Sequence, residues 1–262
     1  MDPESLELLE DSLRKTMLSA SGPELEAALA EMSWAEMLSD IPDVAIPLVF
    51  RLLGETGSHA PVLNDVLLET IGGLPGGTPP MPYAGGGWVV WSRTEVPDPT
   101  LGGLPLHRVP DGQLMRMGEA RRAVGWWLVG SARAMLNLAR QHALDRVQFG
   151  KPIASFQAVR HRLAETLVAI EGAEATLGIH GNESPDLSSM LAKAAAGKAA
   201  LTAAKHCQQV LGGVGFTEEH GLQRHVKRAL VLDGLLGSSK ELTRRAGAGL
   251  RARGSAPRLA HL

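Results

Sequence analysis

The chain has 262 residues, 44% of them hydrophobic and 21% charged, with a formal net charge of −2. This is the balance of a soluble globular protein with room for a sizeable core, and it excludes the strongly basic profile of a nucleic-acid binder. A single cysteine, Cys207, excludes an internal disulfide. No apolar run reaches the ~18 residues of a membrane span, and the acidic start Met1-Asp2-Pro3-Glu4-Ser5 has no leader pattern, so the expected residence is cytoplasmic.

Residues 1–71 read as helices. Leu6, Leu9, Leu13 and Met17 recur at helical spacing. Pro23 opens a second helix through Leu25, Leu29 and Met32, where its missing N–H does no harm. Ile41-Pro42-Asp43 is a break before an apolar helix to Leu53, with Gly54 near its end, and residues 60–71 make one more short helix. Residues 72–111 change character. Glycine and proline cluster from Gly72 to Pro82, and Trp88–Trp91 and Leu104–Val109 are the plausible strands. With strands of about 5–6 residues, this stretch holds a two- or three-stranded remnant or an irregular linker.

Residues 112–252 return to helix. Ala123, Trp127, Gly130, Ala134 and Leu138, widened by Val124, Leu128 and Met135, mark a long helix with much of its circumference buried. Phe156, Val159, Leu163, Leu167, Ile170, Ala173 and Leu177 form the next stripe. Residues 187–211 are alanine-rich, which lets neighbouring helices approach closely, and Gly178 to Pro185 is the hairpin between these two. Two more helices follow, at about 219–235 and 238–252, and residues 253–262 form a tail. The expected fold is mainly α: an N-terminal helical region, a reduced β segment and a C-terminal antiparallel helical bundle.

Two motifs stand out. In Arg146-Val147-Gln148-Phe149-Gly150-Lys151-Pro152-Ile153, with Ser155-Phe156-Gln157 after it, Gly150 and Pro152 break one helix and Ser155 is suited to cap the next. A plain helix corner accounts for that much. Arg146 could also grip a pyrophosphate through paired N–H donors, and Phe149 offers a face for a flat ring. The second motif is Gln209-Val210-Leu211-Gly212-Gly213-Val214-Gly215-Phe216. One glycine would end a helix; three in four positions allow close backbone approach and an anion-binding nest. The dinucleotide fingerprint is absent, because a helix and not a strand precedes these glycines.

Together the motifs resemble the C-terminal domain of the acyl-CoA dehydrogenase family, over nearly all of residues 112–242. The resemblance implies a bundle that pairs with another subunit and holds the ADP end of FAD. Arg146, Gln148, Phe149, Gln157, Gln209, Gly212 and Gly213 take the cofactor-binding positions, and Arg121 takes that of an arginine near the acyl-CoA. A weaker likeness runs through Met32–Leu38 and Leu52–Glu55. The departures are as informative. The family's catalytic glutamate falls at Leu236, before Gly237-Ser238, and its upstream Arg-Asp pair is Lys227-Arg228. Some members carry the base on the long helix, where Ala120 stands, with Glu119 one residue and ~100° away. Only residues 72–111 remain for the middle β-domain, and its Thr-Glu-Pro-Gly-type loop is reduced to Arg93-Thr94-Glu95-Val96-Pro97.

The implied role is a short subunit of a two-plus-two (α2β2) heterotetramer, of the type found in actinobacterial steroid degradation. It would complete a shared FAD site while a larger dehydrogenase-like subunit supplies the base for α,β-dehydrogenation of an acyl-CoA. The alternatives are an inert scaffold for a full-length dehydrogenase and a homomeric enzyme using Glu119. Alone, the subunit is expected to aggregate or form homodimers, with Trp126 or Trp127 turned toward the missing partner. The histidines show no metal-ligand spacing, so no metal is expected. Cys207 is expected as a small buried residue. Lys193, Lys198 and Lys205 are expected on a solvated edge, and Arg244, Arg245, Arg251, Arg253 and Arg258 in a solvated terminus.

Overall fold

The computed structural model describes residues 2–73, 76–94, 98–113, 116–179 and 184–258. Five helices come first: α1 (Pro3–Ser19), α2 (Pro23–Glu31), α3 (Trp34–Asp40), α4 (Pro42–Thr56) and α5 (Val62–Ile71). The Asp2 carboxylate accepts from Ser5 N at 2.9 Å and caps α1. Pro42 opens α4, and Gly57 closes it with a left-handed φ of 69°. Gly54 is not the terminator that its place in the sequence suggests. It lies inside α4, where a Cβ would fall on the Trp127 carbonyl, and a Cβ at Gly130 would fall on the Arg51 carbonyl. The two glycines let these backbones come nearly into contact.

The glycine-rich segment folds as a three-stranded antiparallel sheet of β1 (Met81–Tyr83), β2 (Gly87–Trp91) and β3 (Leu106–Val109), in that order. Val89 stands opposite Met81 on one side and Arg108 on the other. Met81, Val89, Trp91 and Leu106 are buried. Trp91 stacks on Trp127 with centroids 5.5 Å apart, and Phe50 meets Trp127 edge-on at 5.8 Å. Trp127 is therefore the pin joining N-terminal helices, sheet and bundle. It is not a surface waiting for a partner, and Trp126 is itself half-buried against the same core.

The bundle comprises α6 (Gly118–Asp145), the two-residue strands β4 (Val147–Gln148) and β5 (Lys151–Pro152), α7 (Gln157–Leu177), α8 (Pro185–Leu211), α9 (Leu222–Gly234) and α10 (Ser239–Arg253). The fold is mainly α, as the periodicities imply. On α8, Ala192, Ala196, Ala199, Ala200 and Ala203 are buried among the large core. A second cluster of Leu187, Met190, Ala194, Leu242 and Ala246 fastens α10 onto α8. On α7 the apolar stripe is less buried than its spacing suggests. Leu167 is exposed, and Thr166 is buried in its place, hydrogen-bonded to His206 Nδ1 of α8 at 3.0 Å. Cys207 is buried, with its thiol pushed up to about 12 by desolvation.

Two further expectations need correction. Ser155 does not cap α7: its hydroxyl donates to Pro152 O, a short 3-10 turn (Ile153–Ser155) intervenes, and Phe156 precedes the helix without a side-chain cap. Lys193 is not on a solvated edge. It is 0% exposed, and its Nζ donates to the carbonyls of Asp233 and Gly237. The lysine spacing along α8 spans more than one face, and one of its positions meets the α9–α10 loop.

Candidate functional site

The up-and-down course of the bundle gathers the two motifs at one end. The C-terminus of α6, the start of α7 and the C-terminus of α8 lie there, and the Thr166–His206 bond ties the first half of α7 to the last turns of α8. Arg146 leaves α6 with extended backbone, and β4 pairs with β5 in a two-residue hairpin whose turn is Phe149-Gly150. Both turn residues have positive φ, 53° and 77°. Glycine adopts this freely, while Phe149 does so at a cost in strain. The result is a phenyl ring that is 90% exposed, touching Phe156 edge-on at 6.1 Å.

Arg146, Gln148, Gln157, Gln209 and Gly213 are exposed as well. Gln148 Nε2 donates to its neighbour's carbonyl at 2.8 Å. Gly212 has φ +64°, and nothing lies within 4 Å of a Cβ built at Gly212 or Gly213. This is an open surface offering a guanidinium, an aromatic face, amides and uncovered backbone. Those groups fit the pyrophosphate and adenine of an FAD, approached from outside the chain. His142, beside His220 and Arg146, is held below the ordinary histidine range, mainly by desolvation.

The other residues singled out by the sequence lie at the opposite end of α6. Arg121 and Arg146 are separated by 25 residues of the chain, which at 1.5 Å per residue is about 37 Å. Arg121 is buried. Its Nε donates to Leu236 O at 3.4 Å and its Nη1 to Asp186. Burial pushes its pKa down, with Asp186 opposing. Leu236, 1% exposed, has a left-handed φ of 58°, and its N–H donates to Pro82 O at 2.8 Å. The structure thus brings the arginine and the base position together in one cleft of about 550 Å³, with Pro82, Tyr83, Met117 and residues of α10 in its wall.

Glu241 is the carboxylate in that wall, and sequence reasoning passed over it. Its Oε1 accepts from Gly85 N at 2.9 Å, and its Oε2 accepts from Ser238 N and Oγ at 3.0 and 2.8 Å. The backbone bond from Gly85, then that from Ser238, holds its pKa below the usual range. It is a helix cap and a poor proton acceptor. The Ser-x-x-Glu spacing of Ser238 and Glu241 was the available signal, since it spells a capping box. Glu119 lies in an adjoining cleft of about 810 Å³ with Arg116, Pro185 and Asp186; its side chain is 48% exposed and 3.9 Å from Arg122. Ala120, the alternative base position, is buried.

The α9–α10 loop carrying Leu236 is held from all sides. Lys193 takes the carbonyls of Asp233 and Gly237, and the Asp233 carboxylate accepts from Ser239 N at 3.1 Å. Burial pushes the Lys193 ammonium down to about 7, with Asp233 opposing. A Cβ at Gly197 would collide with the Asp233 carboxylate, so that glycine makes room for the brace. Arg228 is more than a lost family residue. It is buried, and its Nη1 donates to Gly57 O and to Ser58 O at 2.8 Å, sealing the C-terminal end of α4. The segment Glu95–Pro97 of the reduced β-domain loop lies outside the described residues.

Residues 113–250 match the family model described as acyl-CoA dehydrogenase, C-terminal domain. The chain is 36% identical over 251 residues to the acyl-CoA dehydrogenase FadE34 of Mycobacterium tuberculosis, covering 87% of this chain and 34% of that one. It is 38% identical over 117 residues to the acyl-CoA dehydrogenase IpdE2 of the same organism, covering 45% and 37%. The chain thus spans little more than a third of the length of these curated relatives. Among solved structures, the Tcur3481-Tcur3483 steroid ACAD G363A variant superposes with a TM-score of 0.70 at 18% identity, covering 96% of this chain and 98% of that one. The ChsE4-ChsE5 complex from Mycobacterium tuberculosis superposes with 0.66 at 17%, covering 98% and 99%. At such identities these two establish the likeness of fold.

Proposed function

The chain belongs to the acyl-CoA dehydrogenase family, and from that premise we propose that it is the non-base-bearing subunit of a heteromeric, FAD-dependent acyl-CoA dehydrogenase. Its role is to bind the ADP moiety of a cofactor shared with a larger dehydrogenase-like subunit, in an α2β2 assembly. The substrate is an acyl-CoA that acquires an α,β double bond. A bulky, steroid-type acyl group is the proposed substrate class, in keeping with the structural neighbour named as a steroid ACAD. The cytoplasm is the proposed compartment; no helix among the described residues is long and apolar enough to cross a membrane.

The observation that carries this reading is the separation of functions along α6. At one end of the bundle Phe149, Arg146, Gln148, Gln157, Gln209 and Gly213 are exposed and Gly212 is partly so, a surface that could meet a ligand held mainly by another chain. At the other, the position that the resemblance gives to the base is a buried leucine, and Glu241 beside it is committed to backbone donors. When bound, FAD supplies the two-electron oxidation. Arg146 would neutralise its pyrophosphate, Phe149 would offer a face to its adenine, and Gln148, Gln157 and Gln209 would hold it through amide hydrogen bonds. A proton acceptor must lie within hydrogen-bond reach of the substrate's α-proton, and a leucine side chain offers no such atom.

The test is flavin per chain, by absorbance, for the chain alone and co-purified with the partner, as wild type and Arg146→Ala. The expected result is no flavin alone, one flavin per heterodimer together, and a sharp loss in the variant. Unchanged flavin and turnover in Arg146→Ala would leave a scaffold role. A flavin-loaded, active protein from the chain alone, inactivated by Glu119→Gln, would instead support the homomeric enzyme.

A further inference from the structure

Leu236 lines the cleft between α6 and α10, yet only 1% of it is exposed. The β1–β2 hairpin lies against it, and Pro82, Tyr83 and Gly86 of that hairpin line the same space. The root of the hairpin is fixed. Leu236 N donates to Pro82 O at 2.8 Å, Tyr83 bridges to Leu235, and the Tyr83 ring occupies the space that a Cβ on Gly234 would need. The tip is far less constrained. Its 3-10 turn, Ala84–Gly86, holds Gly85 and Gly86 at φ 78° and 79°. Both glycines are exposed, and nothing lies within 4 Å of a Cβ built at either. Among the described residues, one hydrogen bond joins this tip to the bundle: Gly85 N donates to Glu241 Oε1 at 2.9 Å.

Glu241 thus serves two elements at once. A capping box needs one carboxylate oxygen, and Oε2 fills that need by accepting from Ser238 N and Oγ. Oε1 is left over, and it goes to the hairpin. A backbone N–H bound to an ionised carboxylate makes a stronger bond than one bound to a neutral acceptor. The bond from Gly85 is also the largest of the influences lowering the Glu241 pKa. The tip itself has little packing, and Gly85, Gly86 and Gly87 in succession give it wide backbone freedom. Such a segment sits at the low end of local stability. One strong bond is then enough to decide whether the tip lies down or lifts.

We propose that the hairpin tip, residues 83–87, is a strap across the cleft and that Glu241 is its latch. With the latch made, the strap lies against the start of α10 and the floor of the cleft is closed. With the latch released, the tip swings on its glycines while the root stays on Leu235 and Leu236, and the cleft opens. The device governs access to the cleft whatever enters it. It does not rest on the Arg146–Phe149 surface at the other end of α6.

Thiol labelling of the full chain with a neutral maleimide tests this. Cys207 is 0% exposed and its thiol is pushed up to about 12, so it stays silent unless the chain unfolds. Leu236→Cys places a reporter on the cleft floor, and Ala248→Cys places a control on its exposed side. Each is combined in turn with Ser238→Ala, which takes the hydroxyl from the cap and leaves the Gly85 bond, and with Glu241→Ala, which removes both. Amide exchange of residues 81–91 is followed in parallel by mass spectrometry. Glu241→Ala should speed labelling of Leu236→Cys at least tenfold and speed exchange at the tip. Ser238→Ala should stay within twofold on both, and Ala248→Cys should label equally in every background. Gly85→Ala, strained at its positive φ and remote from α10 in sequence, should also speed labelling of Leu236→Cys; it serves if Glu241→Ala exposes Cys207. Equal acceleration by Ser238→Ala would mean that α10 frays, and the latch would be refuted. Faster exchange at the tip with unchanged labelling would refute the gate, and no change in either would refute both. Flavin plays no part in these readouts, so a failure here leaves the proposed shared-flavin role standing, and the reverse also holds.

Discussion

Lys193→Met removes a buried ammonium while nearly preserving side-chain length. In the native protein Nζ satisfies the carbonyls of Asp233 and Gly237 and lies in the field of the Asp233 carboxylate. Leaving two buried acceptors without a donor costs about 1–3 kcal/mol each. Losing the desolvation penalty of the ammonium offsets part of this, so a net loss of about 2–4 kcal/mol is expected. For a chain of this size that is a fall in Tm of roughly 5–15 °C, at about 2–4 °C per kcal/mol. Urea and thermal unfolding followed by circular dichroism would measure it, with Lys198→Met as a control expected within about 0.5 kcal/mol, because Lys198 is exposed. The pH dependence adds an independent readout. Lys193 is pushed from 10.5 to about 7 in the folded state. Between those values the unfolded chain binds the extra proton, so raising the pH stabilises the wild type. Lys193→Met should lack that rise. A variant as stable as wild type, or more stable, would mean that burying the charge outweighs both bonds, and the brace reading would be refuted.

Gly130→Ala should cost about 3 kcal/mol or more, beyond ordinary overpacking of about 1–3 kcal/mol, because its Cβ would fall on the Arg51 carbonyl and α4 and α6 must separate; a loss under 1 kcal/mol would mean the helices part easily. His59 and His225 are each pushed from 6.5 to about 4, chiefly by burial. The unfolded chain then binds more protons below pH 6.5, and each histidine should remove about 2 kcal/mol of stability between pH 7.5 and 5. His225→Asn should flatten that acid limb in a pH series of unfolding curves; an unchanged slope would show that the ring titrates normally. Phe149→Ala should leave Tm unchanged or slightly raised, since an exposed, left-handed residue is being trimmed, while lowering flavin retention of the complex. Equal flavin content in both proteins would remove Phe149 from the cofactor surface.

Much of the architecture was legible along the chain because helix periodicity, proline at helix starts and glycine clusters act locally. The stripe of Ala123, Trp127 and Gly130, the alanine run of α8 and the strands read at Trp88–Trp91 and Leu104–Val109, observed as Gly87–Trp91 and Leu106–Val109, follow from helical spacing, strand-forming residues and turn chemistry. The two motifs that resemble the family's cofactor-binding segments were visible as short strings, since each lies within one corner of the chain. Their common location at one end of the bundle, and the opposite location of Arg121 and Leu236, follow once antiparallel helices of this length are stacked.

The sequence by itself determined the mainly α fold, the two glycine-containing corners and the absence of a carboxylate at position 236. Tertiary structure alone decided what each polar residue faces. Lys193 reads like Lys198 on α8, yet one meets the carbonyls of the α9–α10 loop and the other meets water. Glu241 drew no attention in the sequence and is a cap; Arg244, Arg245 and Arg251 are exposed, as a solvated terminus would be, yet line a cleft with Arg121, more than a hundred residues earlier in the chain. The physical reason is that helical propensity and amphipathic spacing are fixed by neighbours within a turn or two. Desolvation, ion pairing and hydrogen bonding to a distant loop depend on which element packs opposite, and that is decided by the whole core at once.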